Sequence, residues 1–214
     1  PLRLLSVKTM KKYKIIFWII WLVIVTIGPY TISKNIVFPK VFSDYGLTLN
    51  FLERLSGVFI FTLLFIQIIL GAYMKKLTSR FGGWIFKVHA IQWPVIYFLV
   101  FIHPLFLLIF NFKLFHTFDP FYIYTQVCFL CKNKLELFYT FGRLAIWFLV
   151  IGIFAANWKK SYLFNYVAFF FVALHGWFVG SDFHFFPLKF FFWLAIAAVF
   201  LTGYRKVLPK KEKE

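Results

Sequence analysis

The sequence predicts an all-α integral membrane protein, a six-helix bundle with both termini cytoplasmic. Three observations predict it. First, 62% of the 214 residues are hydrophobic and only 14% charged, with a mean hydropathy of +0.82, which excludes an ordinary water-soluble domain. Second, the chain divides into six apolar runs, each close to the roughly 20 residues that a bilayer-spanning helix needs. Third, the basic residues gather at the ends of those runs, and 16 of the 24 lie on the side that six spans assign to both termini. Cytoplasmic flanks carry such an excess of Lys and Arg, which gives the orientation. The same clustering accounts for the net charge of +17, so a lipid bilayer is the expected partner and nucleic acid is not.

Residues 1–14 are read as an N-terminal cytoplasmic segment. The chain opens at Pro1, and a start at Met10 would place residues 1–9 outside the protein. Lys11, Lys12 and Lys14 precede span 1, residues 15–32, which is expected to stay in the membrane because no small-residue cleavage site follows it. A polar connection, residues 33–50, carries Pro39, Asp44 and Gly46. Span 2 covers 51–74 and opens with Glu53 and Arg54. Residues 77–86 form a tight basic turn broken at Gly82-Gly83.

Span 3 covers 87–110. The longest connection, 111–137, contains His116, Asp119-Pro120 and Cys128-Phe-Leu-Cys131. Span 4 covers 138–157 and ends at Trp158-Lys159-Lys160. Span 5 begins at Tyr162 and ends at Gly180-Ser181-Asp182. A short loop with His184 and Pro187 leads to span 6, residues 188–204, and residues 205–214 form a basic cytoplasmic tail with the composition of a disordered segment.

Span 3 holds the most informative pair of residues. His89 and His103 stand fourteen positions apart in an apolar run, which on a helix is about 21 Å of rise and within about 40° of one face. Ionisable residues inside a membrane are costly and mark functional sites by default. His175, deep in span 5, supplies a partner from a second helix, and haem is the cofactor that fits histidines presented in this way.

Several strings together resemble one family. They are Leu52-Glu-Arg-Leu-Ser-Gly57, the two span-3 histidines ending in His103-Pro104-Leu105, Gly142-Arg143-Leu144, Trp158-Lys-Lys, Ala173-Leu-His-Gly176 and Gly180-Ser-Asp182. In order and spacing they are similar to the ferric reductase-like transmembrane domain family. Its members include the membrane parts of ferric reductases and NADPH oxidases, and the haem subunit of the bacterial methionine sulfoxide reductase system. The likeness covers residues 50–205 within a six-span domain at 15–204.

The resemblance implies haem b held between the third and fifth spans. By position, His103 and His175 match the outer ligand pair and His89 matches the third-span ligand of an inner haem. The family's fourth histidine is replaced here by Tyr162. Trp93, one turn beyond His89, stands where relatives carry a small residue. Tyrosine can ligate haem iron, so the resemblance implies one haem at the outer pair and leaves open a second at His89 and Tyr162.

The implied activity is that of an oxidoreductase component passing electrons to an extracytoplasmic acceptor. A cytoplasmic flavoprotein or a membrane quinol would be the donor, because no Gly-rich dinucleotide motif is present. Ferric iron, a reductase subunit or oxygen would accept.

Other features admit plainer roles. Cys128 and Cys131, the only cysteines, fall on the outer side, where a disulfide is chemically allowed. They read as a structural bridge or as a redox dithiol. A haem-free membrane thiol–disulfide exchange protein built on that pair, or a purely structural bundle, is the alternative function. Arg54 and Arg143 are expected to be interfacial anchors that snorkel, with haem propionates as alternative partners. His116 and His184 are expected in solvent, and a metal site formed by them with Asp119 and Asp182 is the weaker reading. The 34 phenylalanines fit lipid contact and helix packing rather than an electron wire.

Overall fold

The computed structural model describes residues 7–155 and 162–207, and among these every regular element is helical. The helices are α1 (Val7–Lys34), α2 (Phe38–Ser43), α3 (Tyr45–Phe81), α4 (Trp84–Phe115), α5 (Pro120–Thr125), α6 (Lys134–Phe154), α7 (Tyr162–Val179) and α8 (Leu188–Val207), with a 3-10 turn at Ser181–His184. Six of them, all but α2 and α5, are long and apolar enough to cross a membrane. The chain is thus a multi-pass helical bundle of the predicted class. Trp158, Lys159 and Lys160, the first six residues and the tail from 208 onward lie outside the described residues.

Capping chemistry explains why the boundaries differ from the sequence reading. The connection placed at 33–50 is helical from Tyr45, because the Asp44 carboxylate accepts the Leu47 N–H at 2.8 Å and caps α3. The turn placed at 77–86 shrinks to Gly82-Gly83. Gly82 has φ 92° and its N–H closes on the Thr78 carbonyl, a backbone conformation that glycine alone adopts without strain. The long connection at 111–137 contains α5, whose first turn is capped by Asp119 Oδ1 accepting from Tyr122 N at 2.9 Å. Asn133 caps α6 in the same way through Leu135 N.

α3 is the axis of the bundle. Of its most apolar window 61% is buried, against 17–33% for the other five spans. It pairs with α4 as an antiparallel hairpin and also packs against α1, α7 and α8. Phe61 sits at the centre with no exposed surface, stacked on Phe169 at 5.2 Å and Phe192 at 5.3 Å, with the Phe183 edge at 5.2 Å. Between α1 and α3 the backbones approach so closely that a Cβ at Gly28 would lie 1.8 Å from Val58 Cγ1. Association inside lipid depends on such packing, since tails are as apolar as the side chains they replace.

Polar cross-links add specificity. Trp21 Nε1 donates to Gln92 Oε1 at 3.0 Å, and Gln92 Nε2 donates to the Leu63 carbonyl at 2.8 Å, joining α1, α4 and α3. The outward faces are apolar: Ile19, Val23, Ile91, Phe98 and Phe200 are among the exposed large residues, the distribution expected of a lipid-facing surface.

Candidate functional site

One cavity of about 480 Å³ opens between α3, α4, α6 and α7, and both His103 and His175 line it. Its apolar walls come from Val100 and Leu107 on α4, Ile146 and Leu149 on α6, and Val172 on α7. The two imidazoles come from different helices, with ring centroids 6.3 Å apart and planes at 87°.

Each ring is held by its own backbone acceptor. His175 Nδ1 lies 2.9 Å from the Phe138 carbonyl on α6. His103 Nδ1 lies 3.0 Å from the Glu53 carbonyl on α3 and 3.0 Å from Ser56 Oγ, and that hydroxyl donates to the same carbonyl at 2.9 Å. A carbonyl accepts only, so Nδ1 carries the proton in both rings and Nε2 carries the lone pair. This is the arrangement by which ligating histidines are oriented and made more basic.

Glycines make the approach possible. A Cβ at Gly142 would sit 3.0 Å from His175 Nδ1 and 3.1 Å from Cε1, and one at Gly57 would sit 3.0 Å from His103 Cε1. Both glycines line the cavity. His89 rests against α3 similarly, with a Cβ at Gly71 falling 3.3 Å from its Cε1. The pairs Gly57 with His103 and Gly71 with His89 are equidistant from residue 80, so one antiparallel register sets both contacts.

The structure brings His103 and His175 together and leaves His89 and Tyr162 apart from them. Neither of the latter lines the cavity. His89 Nδ1 is buried without a hydrogen-bond partner, while its backbone carbonyl accepts from Gln67 Nε2 at 2.9 Å. Trp93 lies edge-on to His89 and stacks on Tyr97 at 5.2 Å. Tyr162 lies under the Lys206 ammonium, 4.5 Å from the ring centroid, and edge-on to Tyr166.

The two arginines depart from the snorkelling role. Arg54 binds Asp182 through two hydrogen bonds of 2.7 and 2.5 Å, and the Asp182 side chain is 2% exposed. Arg143 is buried, donating to the carbonyls of Ile123 at 3.1 Å and Gln126 at 2.8 Å and pairing with Glu136 at 3.4 Å. Tyr122 donates to the same Glu136 carboxylate. Burial first, and then that bond, hold the Tyr122 phenol above its usual range, so it stays a donor. Both guanidiniums line the cavity at its polar end with Asn50, Glu53, Tyr139 and Asp182.

His116 and His184 are exposed, as expected. His116 adopts φ 53° as the C-cap of α4, and His184 Nε2 lies 3.0 Å from the Trp177 carbonyl. Asp119 is spent as a helix cap and Asp182 on Arg54, so these four residues form no metal site. Among the described residues no group of three or more His, Cys, Asp or Glu side chains is placed to hold an ion. The His103–His175 pair therefore offers two nitrogen ligands and no more. Such a pair suits a metal whose remaining ligands arrive with it.

Sequence reasoning missed the Glu53 and Phe138 carbonyls and the Gly57 and Gly142 cradles, although both glycines lay within the quoted strings. Cys128 and Cys131 form a disulfide at the end of the bundle that holds the α4–α6 connection. Compared with family models, curated proteins and solved structures, the chain gives no match.

Proposed function

We propose that the chain is a membrane b-type haem protein, in which His103 and His175 would hold the haem and electrons would pass to an extracytoplasmic acceptor. The observation that carries the reading is the pair itself: two histidines on different helices, each with Nδ1 tied to a backbone carbonyl, 6.3 Å between ring centroids. A metal held between two imidazole nitrogens at about 2 Å each places the centroids about 6 Å apart. The cavity volume of about 480 Å³ lies in the range of cofactor pockets, about 300–1,000 Å³.

Haem b would supply one-electron Fe(III)/Fe(II) chemistry, and two histidine ligands favour outer-sphere transfer over oxygen binding. The chain's residues do the rest. Val100, Leu107, Ile146, Leu149 and Val172 keep water from the site. Arg54 and Arg143, each already paired with a carboxylate, line its polar end, where their remaining N–H groups would meet anionic propionates. The bias of basic residues toward the termini supports a cytoplasmic placement of both ends in a cell membrane. The donor in this reading is a separate flavoprotein or a membrane quinol.

His103→Ala and His175→Ala are expected to remove most of the haem from detergent-purified protein, measured by pyridine haemochrome, while a His116→Ala control keeps it. Full haem in both cavity variants overturns the assignment. The membership in the ferric reductase-like family and the electron-transfer role are parts of this same proposal.

A further inference from the structure

The Cys128–Cys131 disulfide is fastened to the wall that orients His175. Cys128 N donates to Thr140 Oγ1 at 3.0 Å, and that hydroxyl lies 3.2 Å from the Cys128 carbonyl and 2.9 Å from the Glu136 carbonyl. Thr140 has no exposed surface. Two residues earlier on α6, about 3 Å of rise away, Phe138 accepts from His175 Nδ1. Between them Tyr139 lines the cavity and tilts over His175 at 6.2 Å. Upstream of the cysteines, Ile123 and Gln126 accept from Arg143, itself a cavity residue. The irregular segment at residues 126–133 is thus tied to α6 at the level of the histidine.

The bridge itself is reachable. Both cysteines keep part of their surface exposed, and the two residues between them project outward, Phe129 at 62% and Leu130 at 100% exposure. A loop closed over only two intervening residues restrains the unfolded chain less than a longer one, so stabilisation is a small return for the cysteine pair. The Cys-x-x-Cys spacing is that of exchanging dithiols.

We propose that Cys128–Cys131 is a thiol–disulfide exchange site for an extracytoplasmic dithiol protein, and that its opening loosens the α6 turns that hold His175. The chemistry balances within the two partners. A thiolate of the dithiol attacks one sulfur of the bridge, forming a mixed disulfide and releasing the other cysteine as a thiolate that takes up a proton. The partner's second thiolate then attacks its own mixed-disulfide sulfur and expels the remaining cysteine. Two electrons and two protons pass to Cys128 and Cys131, and the partner leaves as a disulfide. The outer location rests on the topology proposed above; the exchange and its effect on α6 hold whether or not haem is bound.

The test uses the full chain in detergent with reduced thioredoxin as the dithiol probe. Free thiols are counted by maleimide–polyethylene glycol gel shift, and hydrogen exchange is followed by mass spectrometry. Two labelled thiols per chain are expected after thioredoxin and none before. Amide exchange at residues 134–143 is expected to rise at least threefold in the reduced form and in Cys128→Ser, with 58–68 of α3 unchanged. Sulfurs that resist native thioredoxin but label after denaturation with reductant overturn the exchange site. Unchanged α6 exchange in the dithiol form overturns the coupling. Repeating the labelling in His175→Ala separates the two proposals: loss of haem with thiol exchange intact upholds this one, and a haem-binding chain with an inert bridge overturns it alone.

Discussion

At the scale of single residues, the decisive contacts are those a glycine permits. Alanine in place of glycine inside a helix ordinarily stabilises it by about 1 kcal/mol, yet at Gly57 and Gly142 the added methyl would press on an imidazole at 3.0 Å. Gly57→Ala and Gly142→Ala are therefore expected to lower haem occupancy severalfold with the helical circular dichroism unchanged. Gly83→Ala, where nothing lies within 4 Å, should leave occupancy alone. The Arg54–Asp182 pair gives a second residue-scale expectation. Arg54→Ala strands a carboxylate that is 2% exposed, a loss on the order of 3 kcal/mol, read as a fall in thermal midpoint. Arg54→Met combined with Asp182→Leu should recover most of it, since an apolar pair avoids the desolvation cost. The histidines were legible in the sequence because an ionisable group in an apolar run is conspicuous. Their acceptors were not, because the Glu53 and Phe138 carbonyls belong to backbone that carries no residue-specific mark.

At the scale of helices, composition and run length gave the number and order of the spans, since burying a backbone in lipid leaves few alternatives to a helix. Boundaries and partners were less legible. Apolar content does not say where α3 ends, because its terminal turns at Tyr45 and Arg80 lie outside the apolar stretch and are set by the Asp44 cap and by Gly82. Arg143 shows the same limit: placed near a span end it reads as an interfacial anchor, and only the fold of α5 against α6 supplies the carbonyls that bury it. Helix packing also yields a prediction. Gly28→Ala should force α1 from α3 against Val58, which lies 1.8 Å from the new methyl, at a cost of about 1–3 kcal/mol. A lowered thermal midpoint with unchanged haem content would locate that damage in the α1–α3 seam.

At the scale of the whole molecule, under the proposed function the number of haems would decide how far electrons could travel within the chain. The cavity is lined by His103 and His175 and by neither His89 nor Tyr162. His89 lacks the Nδ1 partner that the other two possess, and Tyr162 is taken up by Lys206 and Tyr166. Pyridine haemochrome assay of purified protein is accordingly expected to give about one haem per chain, with low-spin spectra in both redox states. A ratio of two would mean that His89 acquires a ligand partner after all. Under the proposed function, one haem near one end of the bundle would need a donor that delivers electrons within the membrane, a requirement that a quinol meets better than a soluble flavoprotein.

The shared register of Gly57 with His103 and Gly71 with His89 has a consequence for how this chain can change length. Adding a residue at the Gly82-Gly83 bend lengthens the link and leaves both contacts facing. Adding one within α3, between Gly71 and the bend, rotates everything before it by about 100° against α4 and displaces two histidine cradles in a single event. Insertions and deletions in descendants of this gene should therefore collect at the bend and in the connections, with the stretch from Gly57 to Gly71 and that from His89 to His103 kept at equal length.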